Sequence, residues 1–193
     1  MTRIGIECRA IAANVDETPR VGESPEALCV RLSQAKTDAV ASQLREGLVI
    51  GSDQVAVAGR RIVGKPGDHE QAAQQLRWLS GQRCTFLTGL NVLNVATNTR
   101  YASVTRNAVR FRVLTDAEIE GYLRFDMPYD CAGSFKSESG GIGLLQWQRG
   151  DDPSALIGLP LVQLATILRQ EAVPLFAVSP SSQAGRAQDQ GVL

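Results

Sequence analysis

The chain has 193 residues, with 20 Lys plus Arg balanced by 20 Asp plus Glu, so its formal net charge is zero. That length suits one α/β domain, or at most two small ones, and 44% hydrophobic with 21% charged residues excludes wholesale disorder. The neutral balance argues against a coat for nucleic acid or for an anionic membrane. Apolar runs such as Leu156 to Leu161 are too short to span a bilayer. The opening residues, Met1-Thr2-Arg3-Ile4-Gly5-Ile6-Glu7, lack the apolar stretch of a secretory signal. The expectation is a soluble, cytoplasmic protein.

Residues 14–23 read as a polar loop. Ser24-Pro25-Glu26 then opens a helix, with Ser as cap, Pro in the first turn and Glu at the positive helix end. Leu28, Leu32, Ala35 and Ala39 supply its apolar stripe. Leu48-Val49-Ile50 reads as a buried strand leaving at Gly51-Ser52-Asp53. Val55, Val57 and Ile62 alternate about Gly59-Arg60 as a small hairpin. Asp68 caps a second helix carrying Ala72, Leu76 and Leu79, stopped by Gly81. Strands follow over 84–95 and 102–113, parted by the turn-prone Thr97-Asn98-Thr99. Thr115-Asp116-Ala117-Glu118 has the form of a capping box before a third helix. A Gly/Ser-rich stretch runs from Gly133 to Gly143, and residues 159–171 form a last helix. From about Ala177 no apolar period survives, so 177–193 is expected to be a disordered tail behind a folded domain over 1–176. The fold class is α/β.

Cys8, Cys29, Cys84 and Cys131 are too scattered for a disulfide scaffold, and with the lone His69 they offer no zinc spacing. Gly59-Arg60-Arg61-Ile62-Val63-Gly64-Lys65-Pro66 falls short of a phosphate loop, because Pro stands where Ser or Thr must supply a hydroxyl and a backbone N–H. Lys65 remains a candidate phosphate contact. Asp53, taken to sit just past a strand end, is placed to orient a water or hold a hard cation; a turn-forming Asp is the plain alternative. Asp16-Glu17 and Asp151-Asp152 are acidic pairs that suit Mg²⁺ or simply solvation. An acid flanked by Lys65 and Lys136 suits metal-assisted phosphate-ester hydrolysis. His69 reads as an exposed first-turn residue.

Several short segments occur in one order. They are Val15-Asp16-Glu17-Thr18-Pro19, Glu23-Ser24-Pro25 leading to Arg31-Leu32 and Lys36, and Ile50-Gly51-Ser52-Asp53-Gln54-Val55. They continue with Gly64-Lys65-Pro66, Leu79-Ser80-Gly81, Thr88-Gly89, Cys131-Ala132-Gly133-Ser134-Phe135-Lys136-Ser137-Glu138 and Gly158-Leu159-Pro160. Together they resemble the Maf family of nucleotide pyrophosphatases over about residues 6–171. Gly-Ser-Asp-Gln with Gly-Ser-Phe-Lys-Ser-Glu is similar to the branch acting on 7-methyl-GTP.

The resemblance implies a Maf-like fold, related to inosine triphosphate pyrophosphatase, with a mixed sheet flanked by helices. It implies hydrolysis of 7-methyl-GTP to 7-methyl-GMP and diphosphate with a divalent cation, Mg²⁺ or Mn²⁺, and suggests a homodimer. By carry-over Asp53 is the general base and, with Glu17, a metal ligand. Gln54 and Glu138 select the base, and Lys36, Lys65 and Lys136 bind phosphate. A non-catalytic nucleotide-binding regulator of cell division, or a hydrolase for another non-standard nucleotide, are the alternatives. Family members begin with an apolar strand and a Ser-x-Ser-Pro loop that this chain lacks. About 15–20 residues are therefore expected to be missing, a length that fits a strand, a turn and most of a helix. A start codon further upstream, favoured by the intact downstream residues, would account for this; so would a truncated form with impaired activity.

Overall fold

A computed structural model describes residues 2–176; the expected disordered tail, 177–193, lies outside the described residues. Five strands form one sheet: β1 (Leu48–Ala58), β2 (Arg61–Val63), β3 (Arg83–Asn94), β4 (Thr99–Phe111) and β5 (Leu145–Gly150). Their order is β2-β1-β3-β4-β5. Each pairing is antiparallel, so the sheet does not mix strand directions as expected. Four helices flank it: α1 (Pro25–Ala41), α2 (His69–Leu79), α3 (Asp116–Asp126) and α4 (Leu161–Gln170).

The helix starts follow the sequence signals. Ser24 accepts from the Ala27 N–H at 3.1 Å, Asp68 accepts from the Gln71 N–H at 2.8 Å, and Thr115 and Glu118 close a reciprocal capping box. The turn between β3 and β4 places Asn98 at φ 56°, a conformation asparagine tolerates.

Strand alternation divides the core. Val49 and Val55 of β1 and Leu87 and Leu93 of β3 meet α1 residues Leu28, Cys29, Leu32 and Ala41. Ala56, Phe86, Val109 and Phe111 face the other way, against Leu76 and Leu79 of α2 and Ile119 and Leu123 of α3. Leu90 and Val92 pack on Leu164, Ile167 and Leu168 of α4. So α1 covers one face of the sheet, and α2, α3 and α4 cover the other.

Three expectations change. β1 does not end at Ile50; it runs on to Ala58, and Asp53 lies in mid-strand opposite Gly89. The second half of the buried α1 stripe consists of Ser33, Thr37 and Ala41, whereas Ala35 and Ala39 are half-buried. β5 had no signal, since Leu145-Gln146-Trp147-Gln148-Arg149-Gly150 carries too few alternating apolar residues.

The rotated stripe has a geometric cause. A Cβ on Gly51 would lie 2.4 Å from the Ser33 carbonyl oxygen, and one on Gly89 would lie 2.7 Å from that of Cys29. These two glycines let α1 approach backbone to backbone. Thr37 then sends its hydroxyl to the Ser33 carbonyl at 3.0 Å and lies 3.2 Å from that of Asn91. Gly89→Ala should force α1 away from the sheet. Thermal or denaturant unfolding should show a loss of about 1–3 kcal/mol, the usual cost of overpacking; an unchanged midpoint would reject this account of the packing.

Candidate active site

β1 presents three consecutive polar residues, Ser52-Asp53-Gln54, in the middle of an otherwise apolar strand. Alternation sends Asp53 toward α1 and its neighbours to the opposite face. Asp53 Oδ1 accepts from Lys36 Nζ at 2.7 Å, and the same ammonium donates to Glu17 Oε1 at 2.7 Å. Lys36 thus bridges a strand carboxylate and a loop carboxylate.

The charges respond to burial and to one another. Burial pushes the Asp53 carboxyl above its ordinary value, with the Lys36 ammonium opposing and Glu17 assisting. Burial pulls on Lys36 in the opposite sense, but the two carboxylates outweigh it and raise the ammonium above its usual range. Glu17, nearly half exposed at 48%, is lowered by the hydrogen bond from Lys36. A carboxylate raised by burial is a stronger base than one in water.

The loop that brings Glu17 is pinned to α1. Arg31 grips Glu23 through Nε at 2.6 Å and Nη2 at 2.8 Å, and the same Nη2 lies 3.0 Å from the Thr18 carbonyl. No loop pattern announces this clamp; Glu23 and Arg31 would have to be paired across eight residues.

A cleft of about 500 Å³ opens beside this chain of charges. Glu17, Lys36, Asp53, Gln54, Lys65 and Glu138 all line it. Lys65 is exposed in the connection between β2 and α2, and Glu138 is exposed in the loop after Ala132–Ser134. Ser52 and Gln54 are tied to the 3₁₀ turn Pro153–Ile157 and the residue after it. Ser52 Oγ lies 2.7 Å from the Gly158 carbonyl, and Gln54 Nε2 lies 2.7 Å from that of Ala155.

Other candidates fall elsewhere. Lys136 does not line the cleft: its ammonium donates to the Asp126 carbonyl at 2.9 Å, at the end of α3 where carbonyls lack helical partners. That hydrogen bond ties the loop carrying Glu138 to the end of α3. Asp152 is buried and caps backbone, accepting from the Val162 N–H at 2.8 Å, which removes Asp151-Asp152 as a metal pair. His69 is half-buried and engaged, with Nδ1 2.9 Å from the Tyr129 hydroxyl and Nε2 3.1 Å from Glu120. Cys29 and Cys84 are buried thiols pushed up to about 12 by burial. Cys131 lines the cleft, but burial and then the Asp130 hydrogen bond push it up to about 11, so it is no ready thiolate. No group of three or more His, Cys, Asp or Glu side chains capable of holding a metal occurs among the described residues. No described helix is long and apolar enough to cross a membrane.

An antiparallel sheet covered by helices on both faces, with a carboxylate–lysine–carboxylate chain running from largely buried Asp53 to half-exposed Glu17 at an open cleft, defines a mixed α/β domain built around an ionisable site. The model of the Maf-like protein family matches residues 1–171. The chain belongs to that family. It is 46% identical over 176 residues to a protein of Nitrosococcus oceani named 7-methyl-GTP pyrophosphatase, covering 91% of this chain and 88% of that one. Proteins of the same name from Thiobacillus denitrificans and Cupriavidus pinatubonensis are 47% and 45% identical, across 91% and 92% of this chain and 88% and 89% of theirs.

The Glu23–Arg31 clamp gives the site a pH signature. Arg31 and then the Arg20 N–H hold the Glu23 carboxyl down at about 2, from an ordinary 4.5. Because the folded value lies below the unfolded one, the stabilisation is complete above about 4.5 and drains away as pH falls toward about 2. The melting-temperature gap between the parent chain and Glu23→Gln should be constant above pH 5 and close on acidification. A gap that widens toward low pH would contradict the clamp.

Proposed function

We propose that this chain hydrolyses 7-methyl-GTP to 7-methyl-GMP and diphosphate, with Asp53 accepting the proton of the attacking water. The observation that carries the reading is the Glu17–Lys36–Asp53 chain, both contacts 2.7 Å, at a cleft that Lys65, Gln54 and Glu138 also line. The names of the relatives support the substrate.

Each residue then has a role that its surroundings suit. Asp53, with its carboxyl raised by burial, is a better proton acceptor than a surface aspartate. Lys36 holds Asp53 in position and, with Lys65, spreads the charge that develops on the phosphate oxygens and on the departing diphosphate. Glu138 and Gln54 read the base. The 7-methylated guanine ring is cationic, so the Glu138 carboxylate favours it over neutral bases.

A divalent cation such as Mg²⁺ or Mn²⁺ fits the donor set. Hard cations take one or two carboxylates together with substrate phosphate oxygens. Glu17 and Asp53 each engage Lys36 through one oxygen, leaving the other for a ligand. These two residues would hold the cation, which when bound supplies positive charge to the phosphates and acidifies a water.

Asp53→Asn should lower diphosphate release by about 10²–10⁴-fold, the usual contribution of a general base. Release that persists unchanged would remove Asp53 from the chemistry. Nucleotide binding without any turnover by the parent chain would instead favour a non-catalytic binding role. Glu138→Gln should shrink the kcat/KM preference for 7-methyl-GTP over GTP by about two- to fivefold, as expected for a solvent-exposed charge pair. An unchanged ratio would reject the charge-based account of base selection.

A further inference from the structure

Gln54 has a side-chain amide whose two ends meet different surroundings. Its Nε2 lies 2.7 Å from the Ala155 carbonyl oxygen, 3.3 Å from that of Leu156 and 3.1 Å from Thr88 Oγ1. Thr88 is buried and has a single hydroxyl hydrogen, which points to the Ala155 carbonyl 2.9 Å away. Toward Gln54, then, Thr88 is an acceptor like the two carbonyls. Turning the amide over would aim Oε1 at three acceptors and forfeit the donations that Nε2 makes to them, which is costly at a half-buried residue. Oε1 accepts no hydrogen bond among the described residues and does not number among the buried polar atoms without a partner. It is thus an accessible acceptor on a residue that lines the cleft.

The carbonyls that hold Nε2 are themselves held. They belong to the 3₁₀ turn Pro153–Ile157, which precedes α4. Asp152, only 2% exposed, gathers this turn and the helix start together. Its Oδ1 accepts from the Ser154 N–H at 3.0 Å and also from the Ser154 hydroxyl, and its Oδ2 accepts from the Val162 N–H at 2.8 Å. Ser154 Oγ accepts from the Leu161 N–H at 2.8 Å, so two side chains of the turn cap a helix whose own N-cap residue is Pro160. Asn107 of β4 donates to the Asp152 carbonyl at 3.0 Å, fastening the assembly to the sheet.

We infer that the Asp152-locked turn fixes the Gln54 amide with its oxygen toward the cleft, so that Asp152 and Thr88 are positioning residues for base selection. The cleft then reads a base through its N–H donors. Guanine offers the N2 amino group and the N1–H, both of which survive N7 methylation, whereas hypoxanthine lacks the amino group. The Glu138 carboxylate is a second acceptor lining the same cleft. Only the choice of base rests on the proposed reaction; the orientation of the amide does not.

The test uses Thr88→Val, which keeps the branched shape but removes the hydroxyl, and Asp152→Asn, which sets an amide N–H against that of Val162. Calorimetry would measure binding of 7-methyl-GMP and 7-methyl-IMP to the full chain. The parent should prefer 7-methyl-GMP, and each variant should cut that preference by about three- to tenfold, the value of one net hydrogen bond. In nitrogen-15 NMR the Gln54 side-chain amide protons should exchange slowly with solvent in the parent and faster in Thr88→Val. A preference unchanged in folded Thr88→Val, or fast exchange in the parent, overturns the inference. Should Asp152→Asn fail to fold, Thr88→Val decides alone, and the exchange measurement needs no nucleotide. Loss of diphosphate release with the binding preference intact would sink the proposed reaction and leave this inference standing; full turnover with an unchanged preference would do the reverse.

Discussion

The close seating of α1 on the sheet is the constraint on which the cleft depends. Lys36 reaches Asp53 at 2.7 Å because the helix backbone comes near β1 and β3 at Gly51 and Gly89, where any side chain would collide with it. A helix held off by ordinary side-chain packing would stand about 10 Å from the sheet, the usual spacing of packed layers. Lys36 would then lose its grip on Asp53, and Asp53 would be a buried carboxylate without a counter-charge. Such a group is expensive and would be driven to neutrality. Close packing and site electrostatics are therefore one arrangement viewed at two scales. The Glu23–Arg31 clamp extends it outward, since it ties the residue 16–23 loop to the same helix and brings Glu17 to the same ammonium.

A second constraint comes from strand alternation. Asp53 and Gln54 are neighbours in sequence, yet one faces α1 and the other faces the turn before α4. Both still line one cleft, because β2 pairs only with Ala56 to Ala58 and leaves the earlier part of β1 without a strand partner on that side among the described residues. The cleft wraps around this open edge. A single strand can thus offer a charged residue on one side and a hydrogen-bonding residue on the other. In the proposed reaction this separates the ion-paired chemistry at Asp53 from the reading of the base at Gln54.

Much of the fold was legible in the sequence. Ser24, Asp68 and Thr115 announced three helices through capping chemistry that acts within three or four residues. Gly59-Arg60 marked the β1–β2 hairpin for the same local reason. Of the site residues drawn from the ordered short segments, Glu17, Lys36, Asp53, Gln54, Lys65 and Glu138 line the cleft and Lys136 does not. That lysine belongs to the Gly/Ser-rich stretch, and its ammonium donates to the Asp126 carbonyl at the end of α3. Nothing local to Gly133–Gly143 encodes where α3 ends. Asp151-Asp152 misled in a similar way: the second carboxylate is turned inward to cap a helix start ten residues on. The length of β1 was hidden because Ser52-Asp53-Gln54 interrupts its apolar alternation, and those are the residues the cleft requires to be polar.

The sequence by itself determined the α/β class, the helix starts, the hairpin and the family, because each rests on neighbouring residues or on short segments in a set order. Tertiary structure alone decided that the strands run antiparallel and that Ser33 and Thr37 face the sheet. It also decided that Glu17, Lys36 and Asp53 form one chain of charges, while Lys136 braces a loop. Those outcomes depend on distances between segments far apart in the chain. A backbone approach such as that of α1 to Gly89 is a property of two elements together, and no pattern within either one carries it.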